Sequence, residues 1–276
     1  MRGIDLTNRV AVVTGGGRGI GRATAQALRD AGARVVIGDI DKDELARTAQ
    51  DLGILGDYLD VTDPQQVDAF LAAVHAYLGP VDVWINNAGI MPVGSILDQT
   101  DSLIRRAVEI NVLGVINGAR AAARHMAAHG GGRIVNVASV AGRVPAPGMA
   151  VYAATKFAVA GLGEALDAEL EPVGVRVSTV FPSFTSTGLI QGLEPGPMMT
   201  PVPPERIAKA IVTVLRRGRR HAVVPKRLGL ATAIWMLYPR PVAAFLRRAV
   251  GMHQVFLEPD ASRQEYDNRI DETRRP

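Results

Sequence analysis

Three side chains near the middle of the chain could together move a proton. Tyr152 and Lys156 are four residues apart, and Ser139 precedes the tyrosine by thirteen positions. On a helix over residues 151 to about 170, residues four apart share a face, so the Lys156 ammonium can approach the Tyr152 phenol. A nearby cation favours the phenolate and lowers a tyrosine pKa from about 10. Tyr152 is therefore the predicted general acid and base, and the Ser139 hydroxyl could hold a substrate oxygen against it.

The surrounding elements decide whether this pattern is catalytic, because the Tyr-x-x-x-Lys spacing alone is common on helical surfaces. Short β-branched runs alternate with helical periodicity as far as residue 225. The alternation predicts a Rossmann-type α/β fold, with a doubly wound, mainly seven-stranded parallel sheet in a single domain. Predicted strands are 10–14, 34–39, a run within 53–61, 81–86, 133–138, 175–180 and 221–224, with helices over 64–78, about 101–128 and 151 to about 170. Ser139 then follows the fifth strand, at the edge of the sheet where ligands bind.

A glycine-rich turn joins the first predicted strand to a helix. Gly15, Gly19 and Gly21 lie in this turn together with Arg18 and Ile20. Because glycine has no Cβ to block close approach, the backbone N–H groups and the helix dipole can face a pyrophosphate. The alternative is a turn that binds nothing, but the flanking strand and helix favour the phosphate site.

A carboxylate at the end of the second strand indicates which dinucleotide binds. Asp39 lies eighteen residues after Gly21, where a carboxylate can accept both ribose hydroxyls of an adenosine and would repel a 2′-phosphate. Arg18 argues mildly for the extra phosphate of NADP. Because repulsion at hydrogen-bond distance should exceed the help of a flexible arginine, we predict NAD, with NADP as the alternative.

Other residues beside the strands have weaker signals. Asp60 and Val61 close the third apolar run and could meet an adenine ring, and the small residues at 87–89 permit close approach of a ligand. Asn111 lies within the long helix predicted over about 101–128. A buried asparagine there needs partners, which could be one neighbouring backbone group, or a water ordered by a carbonyl freed at a helix kink.

Taken in order, these motifs resemble the classical short-chain dehydrogenase/reductase family over about residues 8–225. The resemblance implies that Tyr152 is the general acid/base, that Ser139 orients the substrate carbonyl or alcohol, and that Asn111 holds a water linking Lys156 to solvent. Lys156 would lower the tyrosine pKa and bind the nicotinamide ribose. The implied cofactor-binding residues are Gly15, Arg18, Gly19, Ile20, Gly21, Asp39, Asp60, Val61, Asn87, Ala88, Gly89, Tyr152, Lys156, Pro182, Thr185 and Thr187. One departure is Ser183, because the family usually has glycine after this proline, which puts the contacts of the two threonines in doubt.

By this resemblance the chain would be an NAD(P)-dependent oxidoreductase that interconverts an alcohol and a ketone or aldehyde. The alternative is a non-catalytic dinucleotide-binding sensor or scaffold of the same fold. Such a protein would be expected to lose Ser139, Tyr152 or Lys156, and all three are present. The resemblance also implies a homodimer or homotetramer, paired through the helix of Tyr152 and the preceding long helix.

Residues 184–204 predict a mobile substrate lid, because they contain many glycines and prolines together with two methionines. A plain surface loop is the alternative. Met91, Pro92, Val93 and Met149 could add apolar lining. Because the sequence shows no obvious fixed cation for an acidic substrate, a lipophilic alcohol or ketone is favoured.

Charge is distributed unevenly along the chain. Residues 206–257 contain eleven Lys or Arg and no Asp or Glu. Beyond the catalytic domain predicted over 1–225, residues 226–276 predict a helical extension with a polar tail from Glu258. Residues 229–238 are too few to span a bilayer but fit an interfacial helix, so 226–250 is a candidate peripheral membrane contact. The alternative is that these helices cover the substrate cleft or form a dimer interface.

Composition excludes other classes of site. The chain has no cysteine, which excludes thiolate metal sites and cysteine nucleophiles, and no metal site is predicted. No nucleic-acid motif accompanies the basic charge, so nucleic acid is not a predicted partner. The residues before the first strand contain no stretch apolar enough for a signal peptide, and a cytoplasmic location is expected.

Overall fold

Seven parallel strands form one sheet in the order β3-β2-β1-β4-β5-β6-β7. This computed structural model describes residues 3–194, 200–249, 251–252, 255–257, 259–260, 262–263, 266 and 270. The predicted doubly wound, seven-stranded parallel sheet is confirmed. The strands are β1 (Val10–Thr14), β2 (Arg34–Asp39), β3 (Leu55–Tyr58), β4 (Val81–Asn86), β5 (Gly132–Val137), β6 (Val175–Pro182) and β7 (His221–Val224).

Helices cover both faces of the sheet. They are α1 (Gly19–Asp30), α2 (Lys42–Leu52), α3 (Pro64–Leu78), α4 (Asp101–Val108), α5 (Val115–Ala128), α6 (Ala150–Leu170), α7 (Pro204–Arg217), α8 (Gly229–Ala233) and α9 (Arg240–Ala249). Side chains of β1 alternate between two cores, with Ala11 and Val13 in one and Val10 and Val12 in the other. The strand order reverses between β1 and β4, which creates a crevice at their carboxyl ends where ligands bind in such sheets.

The long helix predicted over about 101–128 is interrupted. A π-helical segment, Glu109–Gly114, separates α4 from α5. A Cβ added to Gly114 would lie 2.6 Å from Val61 Cγ2, so the backbone packs directly against the loop after β3. Such single π turns occur frequently at functional sites, and this one contains Asn111.

After β6 the chain runs along α7 to the amino-terminal edge of the sheet and returns along β7 to the carboxyl-terminal edge. Because α7 leads into the parallel strand β7, its last turn and the loop to His221 lie at the amino-terminal edge of the sheet. The segment after Val224, with α8 and α9, lies at the carboxyl-terminal edge with the crevice. Among the described residues, no helix is long and apolar enough to cross a membrane.

Candidate active site

The glycine turn forms a cradle at the start of α1. Gly15 and Gly19 have φ angles of 62° and 56°, which disfavour residues with a side chain. A Cβ on Gly21 would lie 1.9 Å from the Gly15 carbonyl oxygen, so glycine is required there for packing. Gly15, Gly19 and Ile20 line the cavity at the start of α1. Because the first N–H groups of a helix have no partner within the helix, this position suits a phosphate group.

Asp39 ends β2 beside this cradle. Its carboxylate accepts hydrogen bonds from the Gly17 and Asp41 N–H groups, at 2.8 and 3.1 Å. Burial raises the pKa of Asp39, while these backbone bonds and Arg18 oppose the rise. The Arg18 guanidinium lies 3.6 Å from the Asp41 carboxylate and is more than half exposed. Asp39 is therefore the carboxylate fixed in the crevice, and Arg18 is loosely held at its rim.

Thr14 organises the junction between β1 and β4, a role that the sequence did not reveal. Its hydroxyl accepts hydrogen bonds from the N–H groups of Asn87 and Ala88, at 3.0 and 3.2 Å. The Asn87 amide donates in turn to the carbonyl oxygens of Thr14 and Gly15, each at 2.9 Å. These bonds fix the edge of the crevice on which Ala88 and Gly89 are exposed to the cavity.

Asn111 fixes the loop after β4 from the π-helical segment. Its side chain accepts from Ile90 N–H at 2.9 Å and donates to the Ile90 carbonyl at 2.8 Å, and it also donates to the Thr155 hydroxyl. A Cβ on Gly89 would lie 3.1 Å from Asn111 Oδ1 and 3.6 Å from Lys156 Nζ. Asn111 therefore has more partners than the single backbone bond that was one alternative, and it lies close to Lys156.

Tyr152, Lys156 and Ser139 meet on the wall of the same cavity as the glycine cradle. Tyr152 and Lys156 are both buried on the first turns of α6. Lys156 Nζ lies 5.7 Å from the centre of the Tyr152 ring and donates to the Val137 carbonyl at 3.1 Å. The two side chains therefore share a face of α6, as the spacing predicted.

The pKa values of this pair differ from the expectation of a lowered tyrosine pKa. Burial raises the pKa of Tyr152 to about 12, even though a hydrogen bond with Ser139 lowers it. Burial also lowers the pKa of Lys156 to about 8. Loss of hydration on burial is the largest cause of both pKa shifts, and Lys156 Nζ donates its hydrogen bond to the Val137 carbonyl. Tyr152 is therefore a protonated phenol at neutral pH.

The loop after β6 tolerates the serine that departs from the family pattern. Pro182 ends β6, and Ser183 donates its N–H to Val224 on β7. Among the described residues other than glycine, positive φ is found at Asn8, so Ser183 needs no glycine-like backbone. Thr185 and Thr187 both line the cavity, and a Cβ on Gly19 would lie 3.2 Å from Thr187 Cγ2.

The cavity has a volume of about 1260 Å³, more than most sites for a single small ligand. The Asp60 carboxylate accepts from the Thr62 N–H and hydroxyl, which orients it at the wall beside Val61. The sixteen predicted catalytic and cofactor residues that the structure brings to this one wall are Gly15, Arg18, Gly19, Ile20, Asp39, Asp60, Val61, Asn87, Ala88, Gly89, Ser139, Tyr152, Lys156, Pro182, Thr185 and Thr187. Gly21 and Asn111 act behind the wall.

An apolar compartment surrounds Tyr152. Its buried members, which come from several parts of the chain, are Met91, Val93, Ala141, Ala146, Met149, Leu193 and Phe256. The predicted lid contributes Phe184, Leu189 and Ile190, and the ring of Phe184 stacks on Phe256 at 5.4 Å. The two lid methionines, Met198 and Met199, lie outside the described residues. Met91, Val93 and Met149 were predicted as lining from the sequence.

Residues after α9 contact this compartment, although the sequence predicts a polar tail from Glu258 and offers only the helices of 226–250 as a cover for the cleft. Tyr266 lines the cavity, and its hydroxyl accepts from Met91 N–H at 2.9 Å. Arg263 stacks on Tyr266 and donates to the carbonyl oxygens of Leu189 and Met91. Sequence reasoning missed both residues, because a mixed-charge tail gives no periodic signal of burial.

Arg106 is a third residue that the sequence did not indicate. It lines the cavity from α4, its side chain is nine-tenths buried, and its Nε has no hydrogen-bond partner among the described residues. Its guanidinium lies 3.9 Å from the Glu109 carboxylate, which makes a loose ion pair. The sequence shows no obvious fixed cation for an acidic substrate, but the structure places this buried guanidinium at the cavity.

Three histidines meet at the opposite edge of the sheet. His75, His125 and His129 place ring nitrogens within 4.8 Å of one another. The ring of His125 accepts from Val81 N–H at 3.0 Å, and the ring of His129 bonds the His125 carbonyl at 2.7 Å. Burial and the neighbouring rings lower the pKa of His125. Two of the three rings thus serve as hydrogen-bond partners of the backbone.

Comparison with known proteins gives consistent matches. The sequence model described as short chain dehydrogenase matches residues 9–197. The chain is 40% identical over 196 residues to a cis-4-hydroxycyclohexanecarboxylate dehydrogenase from Sinomonas cyclohexanicum, covering 69% of this chain and 79% of that protein. It is 38% identical over 184 residues to a 3-alpha-(or 20-beta)-hydroxysteroid dehydrogenase from Mycobacterium tuberculosis, covering 66% and 71%. A solved short-chain dehydrogenase/reductase from Burkholderia phymatum in complex with NAD superimposes with a TM-score of 0.78 at 26% identity, covering 85% and 95%.

Proposed function

The chain belongs to the short chain dehydrogenase family, and from this premise we propose that it interconverts an alcohol and a ketone or aldehyde with NAD as cofactor. The observation that carries the proposal is the convergence of Ser139, Tyr152 and Lys156 on the cavity that contains the glycine cradle. A sensor or scaffold would need the cradle but has no use for a buried phenol and ammonium beside it.

Several features of the crevice fit a nicotinamide dinucleotide. The cradle at Gly15 and Gly19 would hold the pyrophosphate, and the Asp39 carboxylate would accept the hydroxyls of the adenosine ribose. Asp60 and Val61 would flank the adenine, while Lys156 would bind the nicotinamide ribose. The bound cofactor would supply hydride transfer. NAD is favoured over NADP because two backbone hydrogen bonds hold the Asp39 carboxylate in the crevice, where it would repel a 2′-phosphate.

Exchange of Asp39 tests the cofactor proposal. In Asp39→Ser the repulsion of a 2′-phosphate is lost, so we expect NADP affinity to rise at least tenfold relative to NAD. Asp51→Ser, which changes an exposed carboxylate on α2, is the matched control and should leave the ratio unchanged. Titration of each cofactor against protein fluorescence measures the ratio. An unchanged ratio in Asp39→Ser would refute the role of this carboxylate.

The side chains around Tyr152 can move one proton. With its pKa raised to about 12, the Tyr152 hydroxyl holds the proton and can donate it to a carbonyl oxygen during reduction. Ser139 hydrogen-bonds with this phenol and accepts from the Ala141 N–H at 3.1 Å, and its O–H group can donate to the same substrate carbonyl oxygen. In the oxidation direction the phenolate must form, and the Lys156 ammonium is the chain's own cation that favours it. We propose that a water held by Asn111 supplies protons to Lys156.

Tyr152→Phe is the experiment that separates catalysis from binding. We expect the variant to bind NAD normally and to lose at least about a hundredfold in rate, since a general acid–base catalyst contributes that much. Tyr77→Phe, an exposed tyrosine on α3, is the control. Near-normal turnover in Tyr152→Phe would end the assignment. Wild-type protein that binds NAD but turns over no substrate of a broad panel would favour the sensor or scaffold instead.

We propose a lipophilic substrate because the compartment around Tyr152 is built from methionine, valine, phenylalanine and leucine side chains. A relative named as a hydroxysteroid dehydrogenase supports a large apolar substrate. The test is a panel of lipophilic alcohols and ketones, assayed separately with NAD and NADP by the absorbance of the reduced nicotinamide. Activity confined to small hydrophilic alcohols would contradict this proposal.

Arg106 favours a second candidate, an alcohol that also bears an anionic group. Its buried guanidinium can bind a carboxylate, and one relative is named for a hydroxycyclohexanecarboxylate. In Arg106→Met we expect KM for carboxylate-bearing alcohols to rise at least tenfold while KM for neutral alcohols stays unchanged. Equal effects on both classes would assign Arg106 a structural role.

For assembly we propose pairing through α6 and the α4–α5 region. A stripe of exposed small residues on α6, spaced at helical intervals, allows another helix to approach closely: Ala154, Ala158, Gly161 and Ala165. Val108 and Leu113 are exposed on the neighbouring helical segments. Light scattering of Ala158→Arg against wild type tests this pairing, and an unchanged mass in the variant would contradict it.

A further inference from the structure

Large apolar side chains are exposed on the segment that contains α8 and α9. Leu230, Leu237 and Phe245 have 76%, 80% and 69% of their surface in solvent, and Met236 and Val242 are also exposed. We name these five residues the apolar ridge. All five lie within sixteen consecutive residues, and large contiguous exposed apolar patches mark interaction sites.

The same segment is apolar on its inner side. Ala231, Trp235, Tyr238 and Leu246 line the cavity, while Ala243 is buried. In α9 the inward residues 243 and 246 alternate with the outward residues 242 and 245. A helix with two apolar sides has more apolar surface than its own core needs. The ridge thus lies immediately outside the wall of the substrate compartment.

Basic side chains flank the ridge. Lys226, Arg227, Arg240 and Arg248 are exposed, and Arg247 packs 5.8 Å from the Trp235 ring. No acidic residue occurs between positions 206 and 257. The other basic cluster of this stretch, Arg216, Arg217, Arg219 and Arg220, lies at the opposite edge of the sheet, where it cannot share a flat surface with the ridge.

We propose that the apolar ridge and its flanking cations dock on an anionic lipid surface. Lys and Arg beside exposed Leu, Met and Phe are the chemistry of an interfacial helix, in which apolar groups enter the acyl boundary and cations meet lipid phosphates. A second copy of this chain is disfavoured, because a two-fold interface would bring these cations against themselves with no acidic residue of 206–257 to pair them. Docking in this orientation brings the substrate compartment next to the lipid.

Vesicle binding tests the docking of the full-length protein. We expect co-sedimentation with phosphatidylcholine vesicles that contain about 30% phosphatidylglycerol, at least tenfold weaker binding to phosphatidylcholine alone, and weakening with salt. Protein that remains in the supernatant with anionic vesicles at physiological salt would overturn the proposal.

Paired variants distinguish docking from general basic adhesion. Leu237→Gln with Phe245→Gln, and separately Arg240→Gln with Arg248→Gln, should each weaken vesicle binding at least tenfold. Arg216→Gln with Arg217→Gln removes the same charge at the other edge and should retain binding. Equal loss in this control would overturn the proposal, as would a concentration-dependent dimer that the ridge variant converts to monomer. NAD binding by every variant verifies folding, since none of these residues belongs to the cofactor crevice.

Discussion

Replacement of Lys156 by methionine should make the ligand-free protein more stable while it abolishes catalysis. Lys156 is buried, and its folded-state pKa is lowered from 10.5 to about 8. The unfolded chain therefore holds the proton up to about pH 10.5, whereas the folded chain holds it only to about pH 8. Between these values the unfolded chain binds more protons, so the free energy of unfolding rises with pH. Below about pH 8 the folded protein bears the whole free-energy cost of burying the charged Lys156 ammonium.

The size of the effect follows from this shift. A difference of 2.5 units between 10.5 and about 8 corresponds to about 3 kcal/mol at pH 7, at 1.36 kcal/mol per unit. Methionine avoids this cost, but it leaves the Val137 carbonyl without its donor, which offsets about 1 to 2 kcal/mol. The variant should thus gain about 1 to 2 kcal/mol at pH 7. By about pH 9.5 the cost in the wild type shrinks by about 2 kcal/mol, so the two proteins should become nearly equal.

Urea unfolding without cofactor, followed by circular dichroism at both pH values, measures this difference. Lys209→Met on the exposed side of α7 is the matched control, and it should change stability by less than about 0.5 kcal/mol at either pH. The decisive quantity is the change with pH of the gap between Lys156→Met and wild type. A gap that stays constant between about pH 7 and 9.5 would show that Lys156 is not a desolvated cation, and the reasoning about the site's electrostatics would be refuted.

Three further perturbations have defined outcomes. Asp167→Asn should cost about 3–5 kcal/mol in urea unfolding, because it breaks a buried pair in which Arg176 donates two bonds of 2.8 Å. Although burial raises the Asp167 pKa, the bonds from Arg176 give a net lowering, so this stability is present above pH 3.8 and lost as pH falls through the folded pKa. Gly163→Ala should cost about 1–3 kcal/mol, since its Cβ would lie 2.2 Å from a threonine hydroxyl on β6. Gly161→Ala, whose Cβ would meet no atom of the described part of its own subunit within 4 Å, should stabilise the isolated subunit by about 1 kcal/mol. Arg263→Met should raise KM for lipophilic substrates at least fivefold and leave the Kd for NAD unchanged; a change in Kd alone would contradict the assignment of Arg263 to the substrate side.

Local patterns were sufficient for the sheet and the cofactor crevice. The β-branched runs of β1 and β4 are buried on both faces, so their apolar composition was a direct signal. The glycines at 15, 19 and 21 give a clear sequence signal, because positive φ or close backbone packing at these positions disfavours every residue that has a Cβ. The helix predicted over 64–78 agrees with α3, where Asp63 caps the amino terminus and proline begins the helix.

The substrate side depends on contacts between distant parts of the chain, and there the sequence was insufficient. Tyr266 reaches Met91 across 175 positions, and no local pattern encodes such a contact. For Asn111 the sequence left two alternatives open, a single backbone hydrogen bond or a kinked helix, and it did not predict a π-helical turn. The lowered tyrosine pKa expected from the spacing of Tyr152 and Lys156 was wrong, because spacing indicates which groups are near but not how far both are desolvated.

The carboxyl-terminal segment thereby becomes part of the electrostatics of the active site. Phe256 and Tyr266 help to exclude water from the compartment around Tyr152, and Tyr266 itself contributes to the raised Tyr152 pKa. Burial is the largest cause of the shifts at both Tyr152 and Lys156, so any movement that admits water would bring the two pKa values back toward 10.0 and 10.5. If a lipid surface holds the apolar ridge in place, the cavity wall beside the ridge would stay closed to water. The pKa of Tyr152 would then depend on whether the protein is bound to lipid.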